Sequence, residues 1–266
     1  MLIDTHCHLA DDQFVDDLPD VVARARAAGV VGAICILDAV SRVELDRVPM
    51  LRSAWPGVRF AAGVHPHQAG KIAVDDVARA VTLALDESGA AALGEIGLDY
   101  HYDFSPREVQ RDVFARQVAL AVERDLPVVI HTREADADTL AVLDAAGGGR
   151  ARGVFHCFTG DQALADAAVA RGFHVSFSGI VTFPRAVALR AVAATIPTTQ
   201  WLVETDSPYL SPAPQRGGRN EPARVATVLE VMATVRHLSL ADAVAQAAAN
   251  TTAVFGNDRP QQVGAR

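Results

Sequence analysis

Residues 91–131 read AALGEIGLDYHYDFSPREVQRDVFARQVALAVERDLPVVIH. A short apolar run, Ala91 to Ile96, leads into a segment of helical period from Pro106 to Arg124, and a second apolar run, Pro127 to His131, follows. The apolar residues of the middle segment fall roughly on one helical face, and Ser105 before it is a typical N-cap residue. This stretch therefore predicts a strand, a helix and a second strand in the order of a βαβ unit.

The same alternation of short apolar runs and longer helical segments occurs along the whole chain. Uninterrupted apolar runs are typical of parallel strands that are covered by helices. The other runs are Leu2–His6, Val30–Leu37, Val58–Val64, Gly153–Phe158, His174–Phe177 and Trp201–Glu204. Eight βα units in 266 residues predict an α/β fold, the (β/α)8 or TIM barrel, with an open doubly wound sheet as the alternative. We expect one domain over residues 1–266, with a tail from about residue 256.

The bulk composition excludes several classes of protein. The formal net charge of −8 argues against a broad surface that follows the phosphates of duplex nucleic acid. No apolar run approaches the roughly 18 residues needed to cross a membrane, and the first residues do not resemble a signal peptide. The three cysteines form no paired framework, which suits a reducing compartment. We therefore expect a cytoplasmic protein without membrane contact.

Lys71 is the only lysine of the chain. It lies in a polar stretch that is expected to form a loop. A carbamylated lysine that bridges two metal ions, or a lysine that forms a Schiff base, therefore has almost no candidate. Any anion shared between two cations must come from a carboxylate.

Imidazole and carboxylate side chains occur where five of the predicted strands end. In a (β/α)8 barrel these ends meet at one face, where active sites form. Histidine, glutamate and aspartate are the ligands that zinc, manganese or magnesium would use there. Each residue alone is a weak signal, but together they predict a two-cation site built from His6, His8, Glu95, His131, His156 and Asp206.

Alternation along a strand predicts which side chains share a face. His6 and His8 are two residues apart, so both should point into the barrel mouth while Cys7 points towards the helices. The same reasoning places His156 inwards and Cys157 outwards. We therefore expect both cysteines to be core thiols rather than metal ligands.

Two further carboxylates share the parity of predicted ligands, and we expect them to act through those ligands. Asp4 shares the face of His6 and is a candidate for a supporting contact. Glu204 shares the face of Asp206 and is expected to orient it or a bound water.

Other polar residues near the same strand ends are candidates for contact with a substrate. His65 follows the third strand and is expected to face the substrate, whereas His67 is expected to be exposed. Asp99 and Arg133 fit a substrate contact and a structural salt bridge equally well.

Eight motifs in a fixed order connect these residues to a known family. They are DTHCH (4–8), GVHPH (63–67), GEIGLDY (94–100), PVVIHTREA (127–135), HCFTG (156–160), SFSG (176–179), ETDSPYL (204–210) and RNEP (219–222). On these motifs the chain resembles the TatD family of metal-dependent deoxyribonucleases, within the amidohydrolase-like barrel superfamily. The resemblance runs from residue 1 to about residue 255 and so covers nearly the whole chain.

The resemblance implies that the same six residues are metal ligands and that Glu95 bridges the two cations. It also implies a 3′-to-5′ exonuclease on DNA, with Mg²⁺ or Mn²⁺ supporting turnover. We place Asn220, in the last motif, with His65 and Arg133 among the residues expected to bind substrate. Gly218 stands where many members carry a lysine, so Arg216 or Arg219 must replace that lysine if it holds phosphate.

Our hypothesis is hydrolysis of phosphodiester bonds in single-stranded or frayed DNA by a monomer that needs no protein partner. One cation would be held by His6, His8 and Asp206, the other by His131 and His156, with Glu95 shared; Zn²⁺ is a possible alternative metal. Glu95 and Asp206 would be catalytic, with Asp206 accepting the proton of the attacking water. Two alternatives remain open: an amide or ester hydrolase such as an aminoacyl-tRNA deacylase, and a non-catalytic metal-binding scaffold.

Overall fold

The computed structural model describes residues 1–256, which form eight parallel strands and ten α-helices. The strands lie in one sheet in the order β1 to β8, so each strand pairs with the next along the chain. Their bounds are β1 Leu2–Cys7, β2 Val30–Asp38, β3 Val58–Gly63, β4 Ala92–Asp99, β5 Val128–Arg133, β6 Gly153–Phe155, β7 His174–Phe177 and β8 Trp201–Val203. The predicted (β/α)8 barrel is confirmed, and the open doubly wound sheet was the wrong alternative. The tail expected from about residue 256 lies outside the described residues.

Helices connect successive strands and cover the outside of the barrel. They are α1 Leu18–Ala27, α2 Arg42–Asp46, α3 Val48–Ala54, α4 Val77–Ser88, α5 Arg107–Glu123, α6 Asp136–Gly147, α7 Gln162–Ala170, α8 Val187–Thr195, α9 Val225–Val235 and α10 Leu240–Phe255. The side chains of Ser41, Asp161 and Ser239 cap the first turns of α2, α7 and α10. Within residues 1–256, no helix has both the length and the apolar character needed to cross a membrane.

The start of α5 differs from the prediction. Pro106 is the N-cap residue, and its ring has no polar group that could cap the helix, while the Ser105 hydroxyl is engaged elsewhere. Ser105 Oγ accepts a hydrogen bond from Gly70 N at 2.9 Å and donates to His67 O at 3.3 Å. Ser105 therefore fastens the turn after β3 to the loop after β4, instead of capping the helix.

The barrel closes between the end of β1 and the segment that follows β8. Asp206 N donates to His6 O at 2.9 Å, and His8 N donates to Ser207 O at 2.7 Å. Cys7 and Ser207 form a parallel bridge between the same two segments. These backbone bonds fix the first and last polar residues of the barrel mouth relative to each other.

The interior of the barrel is filled by apolar side chains, as expected for this fold. One cluster of buried residues consists of Ile34, Ile36, Ala61, Ala92, Val129, Val154, Leu202, Val254 and Phe255. Val254 and Phe255 come from the last turn of α10, which is anchored where Arg59, at the start of β3, donates to Phe255 O at 3.2 Å. The end of α10 thus closes the amino end of the barrel and leaves the carboxyl end open.

Candidate metal centre

A cavity of about 870 Å³ opens at the carboxyl ends of the strands. Five of the six predicted ligands line it: His8, Glu95, His131, His156 and Asp206. The sixth, His6, is fully buried, and its ring stacks on that of His156 with 3.9 Å between centroids. The fold therefore brings all six residues together at the end of the barrel where active sites form.

His6, His8 and Asp206 form a first group of polar atoms. His6 Nε2 lies 3.3 Å from His8 Nε2 and 3.6 Å from Asp206 Oδ1. His8 Nε2 lies 3.3 Å from the same aspartate oxygen. Glu95 Oε2 completes the group at 3.3 Å from His6 Nε2 and 4.0 Å from His8 Nε2. Because this group joins β1 to the segment after β8, closure of the barrel sets its geometry.

The other oxygen of Glu95 faces a second group of histidines. Glu95 Oε1 lies 2.7 Å from His156 Nε2, 3.0 Å from His131 Nδ1 and 3.2 Å from His65 Nε2. One carboxylate thus offers one oxygen to each group. This is the arrangement that a shared, bridging ligand requires.

Both groups have the chemistry of a divalent-cation site. The ligand atoms of His6, His8 and Glu95 all lie within 4.8 Å of one another, as do those of His65, Glu95 and His131. Nitrogen and oxygen donors of this kind suit zinc, manganese and magnesium. The residues therefore fit two divalent cations, and His65, which the sequence analysis assigned to substrate, lies within the second group. Its position in GVHPH, directly after a strand, was the signal that could have placed it there.

Asp99 contacts His131, a member of the second group, and orients its ring. Its Oδ2 lies 3.1 Å from His131 Nε2, which leaves Nδ1 of the same ring to face Glu95. The same oxygen lies 2.9 Å from His67 Nε2. His67 is therefore only one-quarter exposed, and the expectation that it faces solvent was wrong. Asp99 is a carboxylate that orients a candidate ligand, which is a common companion of metal-bound histidine.

Glu204 supports a different residue from the one predicted. Its Oε1 accepts a hydrogen bond from Cys157 N at 2.6 Å and lies 3.3 Å from His156 Nδ1. Glu204 therefore orients His156, so that Nε2 of that ring faces Glu95, and it makes no direct contact with Asp206. The residue that Glu204 orients is thus His156, which directly follows β6, and not Asp206, which was expected.

Asp4 acts through the backbone of the segment after β8. Its two oxygens accept hydrogen bonds from Thr205 N at 2.8 Å and Thr205 Oγ1 at 2.5 Å. Asp4 also accepts a bond from His6 N at 3.3 Å. Burial raises the pKa of Asp4 to about 8, against the lowering effect of the Thr205 bonds. The side chain holds the residue that precedes Asp206 and so positions the first group.

Asp206 has a backbone conformation that few residues adopt. Its φ is 58°, in the left-handed region, and its carbonyl accepts a bond from Tyr209 N at 2.9 Å. Aspartate and asparagine tolerate this region better than most residues. Strained backbone of this kind is concentrated at functional sites, where surrounding bonds hold it in place.

Charge is distributed unequally over Glu95 and the histidines around it. Burial favours the neutral acid, but the charges of His156 and His65 help to hold the pKa of Glu95 well below its usual value. Burial lowers the pKa of His65 to about 4, despite the attraction of Glu95. His8 is only partly buried, and its hydrogen bond to Asp206 outweighs the effect of desolvation and raises its pKa to about 9. Because a histidine ligand must be neutral, cation binding at the first group should release a proton from His8.

Two predictions about neighbouring residues need correction, and one about Cys7 is confirmed. Cys157 lines the cavity instead of pointing to the helices, because β6 ends at Phe155 and strand alternation does not extend further. Asn220 is fully buried, and its amide donates to Thr205 O and Tyr209 O while its oxygen accepts from Glu221 N. No group of Asn220 is left to bind a substrate. Cys7 is buried in the core, as expected.

The arginines near the substituted lysine position do not line the cavity. Arg219 pairs with Asp17, with Nη2 2.6 Å from Oδ2, and Arg216 lies 4.2 Å above the ring of Phe183. Among the described residues, Arg133 is the one arginine or lysine that lines the cavity. Any contact between a phosphate deep in the cavity and a guanidinium therefore involves Arg133.

The whole chain is similar to proteins of one family. A family model described as TatD related DNase matches residues 3–256. The chain belongs to the TatD family. A TatD relative from Bacillus subtilis, named uncharacterized metal-dependent hydrolase YabD, is 36% identical and aligns over 96% of this chain and 99% of its own length.

Two other TatD proteins extend the comparison. The Citrobacter rodentium protein named 3′-5′ ssDNA/RNA exonuclease TatD is 36% identical over 96% of this chain and 98% of its own. The crystal structure of YJJV, a TatD homologue from Escherichia coli K12, has a TM-score of 0.88 at 30% identity and covers 96% of this chain and 98% of its own. As a TatD family member the chain is a metal-dependent hydrolase, and the non-catalytic scaffold is set aside.

Proposed function

We propose that the protein is a 3′-to-5′ exonuclease that hydrolyses single-stranded DNA with two divalent cations, Mg²⁺ or Mn²⁺. The observation that carries the proposal is the division of Glu95 between two groups of ligand atoms, one oxygen to each. When bound, two cations supply positive charge that lowers the pKa of water and neutralises the oxygens of a phosphate. His6, His8 and Asp206 would hold one of them and His65, His131 and His156 the other, with Glu95 shared.

Asp206 is the residue best placed to accept a proton from the attacking water. Its carboxylate lines the cavity and is 14% exposed, so water can reach it. Burial alone would raise its pKa, but the hydrogen bond from His8 and the charge of His6 lower it. Asp206 is therefore anionic near neutral pH and able to act as a base. The water oxygen bonds to phosphorus, the bond between phosphorus and the 3′ oxygen of the preceding nucleotide breaks, and that oxygen takes up the proton that Asp206 accepted.

The cavity favours a strand end over an intact duplex. Its mouth is bordered by loops after several strands, and the polar atoms of the candidate centre lie at its base. With a net charge of −8, the chain offers no general attraction for the phosphates of a duplex. Arg133 supplies a local positive charge for the phosphates that enter. A relative named as an ssDNA/RNA exonuclease is consistent with this substrate.

A carbonyl hydrolase is the second candidate, favoured by the shortage of phosphate-binding groups. Gly218 occupies the position of an expected lysine, and Arg219 is paired with Asp17. The same cations and the same base would serve hydrolysis of an aminoacyl ester. The two candidates differ in the bond that is cleaved and not in the site.

The test uses metal-stripped protein and a 5′-labelled single-stranded oligonucleotide, with Mg²⁺, Mn²⁺ and Zn²⁺ added back separately. We expect a ladder of products that shorten one nucleotide at a time from the 3′ end and that require a cation. An aminoacyl ester is assayed in parallel. Protein that is folded and metal-loaded but leaves the oligonucleotide intact would refute the nuclease, and cleavage of the ester would then support the carbonyl hydrolase.

A further inference from the structure

The exposed aromatic side chains of the protein are concentrated at the cavity. Among residues 1–256, three aromatic side chains are exposed: Tyr102 at 48%, Phe104 at 66% and Tyr209 at 51%. Tyr102 and Tyr209 line the cavity, and Phe104 stacks on Tyr102 with 5.3 Å between ring centroids and 11° between ring planes. Exposed apolar surface next to a functional cavity marks a binding surface.

Asp99 holds this aromatic pair in a fixed position relative to the candidate metal centre. Its Oδ1 accepts hydrogen bonds from the backbone N–H groups of His101 and Tyr102, each at 3.0 Å. Its Oδ2 lies 3.1 Å from His131 Nε2. One fully buried carboxylate therefore anchors both the loop that carries the rings and a histidine of the second group. Asp99 thus links the rings directly to the candidate metal centre.

The groups around the pair match the chemistry of a nucleotide. The Arg133 guanidinium lines the cavity and lies 4.8 Å above the Tyr102 ring, on which Phe104 also stacks. A cation for phosphate therefore lies close to the more exposed Phe104 ring, which is the ring of the pair left to receive a base. The rings of His67 and Phe104 lie nearly perpendicular to each other, with 4.8 Å between ring centroids. Stacking on an aromatic ring recognises any base, because every base has a π-face.

We infer that Tyr102 and Phe104 form a stacking platform for an unpaired nucleobase on the 5′ side of the scissile phosphate. The inference rests on the proposed function, which supplies the phosphate at the centre. The pair lies at the rim and is half exposed, so it borders the path by which the strand leaves the cavity for solvent. The 3′-terminal nucleotide, in contrast, must enter the cavity beyond the centre.

The test is a double-change cycle. The aromatic rings of the protein and the base of the oligonucleotide are removed separately and together. The protein variant is Tyr102→Leu with Phe104→Leu, and the altered oligonucleotide has an abasic site at the penultimate nucleotide. For removal of the terminal nucleotide, we expect the wild type to lose about ten-fold in kcat/KM on the abasic strand, and the variant to lose about ten-fold on the normal strand. The variant should lose nothing further on the abasic strand, because the two changes remove one interaction.

A matched control exchanges the rings without removing them. The variant Tyr102→Phe with Phe104→Tyr keeps both aromatic faces and should cleave both strands like the wild type. If the leucine variant instead loses the same factor on the normal and abasic strands, the rings support the fold or the centre, and the platform is refuted. Equal cleavage of both strands by the wild type refutes it as well.

A binding measurement separates this inference from the proposed function. The same cycle is repeated by fluorescence anisotropy, with labelled strands and the Asp206→Asn protein with or without the two leucines. Coupled losses of affinity in the absence of any hydrolysis by the wild type would support the platform and refute the nuclease. Affinity that is independent of the rings, or absent altogether, would refute the platform whatever the cleavage assay shows.

Discussion

The amino end of the barrel is apolar and closed, whereas the carboxyl end is polar and open. At the amino end, Val254 and Phe255 pack against apolar strand residues and close the interior. At the carboxyl end, five imidazoles surround Glu95. Five buried polar side-chain atoms in residues 1–256 lack a hydrogen-bond partner, and three of them belong to His6, Glu204 and Ser207 at this end.

The contrast shows that apolar residues that stabilise the fold and the residues of the candidate metal centre lie at opposite ends of the barrel. Charged and polar groups gathered in a buried cluster cost free energy unless cations or hydrogen bonds compensate them. Apolar burial at the opposite end supplies stability that does not depend on the cluster. Changes at the carboxyl end should therefore affect turnover and metal affinity, and changes at the amino end should affect unfolding.

The largest effect is expected for Asp206→Asn. The variant loses the carboxylate that we propose accepts the proton, so turnover should fall by about 10²- to 10⁴-fold. The amide keeps the left-handed backbone, so the unfolding midpoint should stay close to that of the wild type. Initial rates and thermal unfolding are measured together. Asp75→Asn, which changes an exposed aspartate, is the control and should leave both quantities unchanged.

The amino end is tested by Phe255→Ala. Truncating this buried ring should reduce the free energy of unfolding by about 3 kcal/mol, through lost burial and the cavity that remains. The rate per folded molecule should not change, because the ring is remote from the centre. Urea unfolding and initial rates are compared with those of Leu240→Ala, an exposed residue of the same helix. A large loss of turnover in folded Phe255→Ala protein would break the division between the two ends.

Glu204→Gln tests the contact of Glu204 with His156 at the carboxyl end of the barrel. The amide keeps the bond from Cys157 N but holds the His156 ring less firmly, so metal affinity should fall by about 10- to 100-fold. Isothermal titration with Mn²⁺ or Zn²⁺ measures the change. Glu230→Gln on the exposed side of α9 is the matched control. An affinity equal to that of the wild type would show that the charge of Glu204 makes no contribution to metal binding through His156.

The smallest effect is expected at Asp38, at the rim of the cavity. Burial, with the charge of Glu44, raises the pKa of Asp38 from 3.8 to about 6. The folded state thus binds this proton more tightly, so stability from Asp38 is present below pH 3.8 and is lost as pH rises through about 6. Asp38→Asn should therefore be more stable than the wild type by about 1 kcal/mol at pH 7.5 and equal to it near pH 3.5.

Urea midpoints of the two proteins at both pH values check this prediction. The asparagine oxygen still accepts the bond from Val40 N, so lost hydrogen bonding does not mask the effect. A difference that stays constant between the two pH values would show that the carboxylate does not titrate with folding.

The candidate ligands were predictable because barrel geometry converts position in the sequence into position in space. A polar side chain near the carboxyl end of an apolar run, such as His131 or Glu95, is placed at the common face of the barrel. The fold was predictable for the same reason, since eight apolar runs fix the number of strands. These predictions needed only the order and the ends of the elements.

The predictions that failed depended on where an element stops and which neighbour is nearest. Alternation placed Cys157 outside the barrel, but β6 is only three residues long and ends before it. Asn220 belongs to a family motif and was therefore expected to bind substrate, but its side-chain amide donates hydrogen bonds to two backbone carbonyls. Ser105 has the sequence of a helix cap but bonds to Gly70, which is distant in the chain. Contacts of this kind arise from tertiary packing and have no local signal.

The backbone bonds that join His6 to Asp206 have a consequence for how the protein is made. The first half of the chain supplies His6 and His8, but the partner carboxylate is 200 positions later in synthesis order. A nascent or truncated chain that ends before β8 lacks both this carboxylate and the bonds that align the two histidines. The candidate centre is thus complete only once synthesis has passed the eighth strand, and an incomplete chain has no assembled site for hydrolysis.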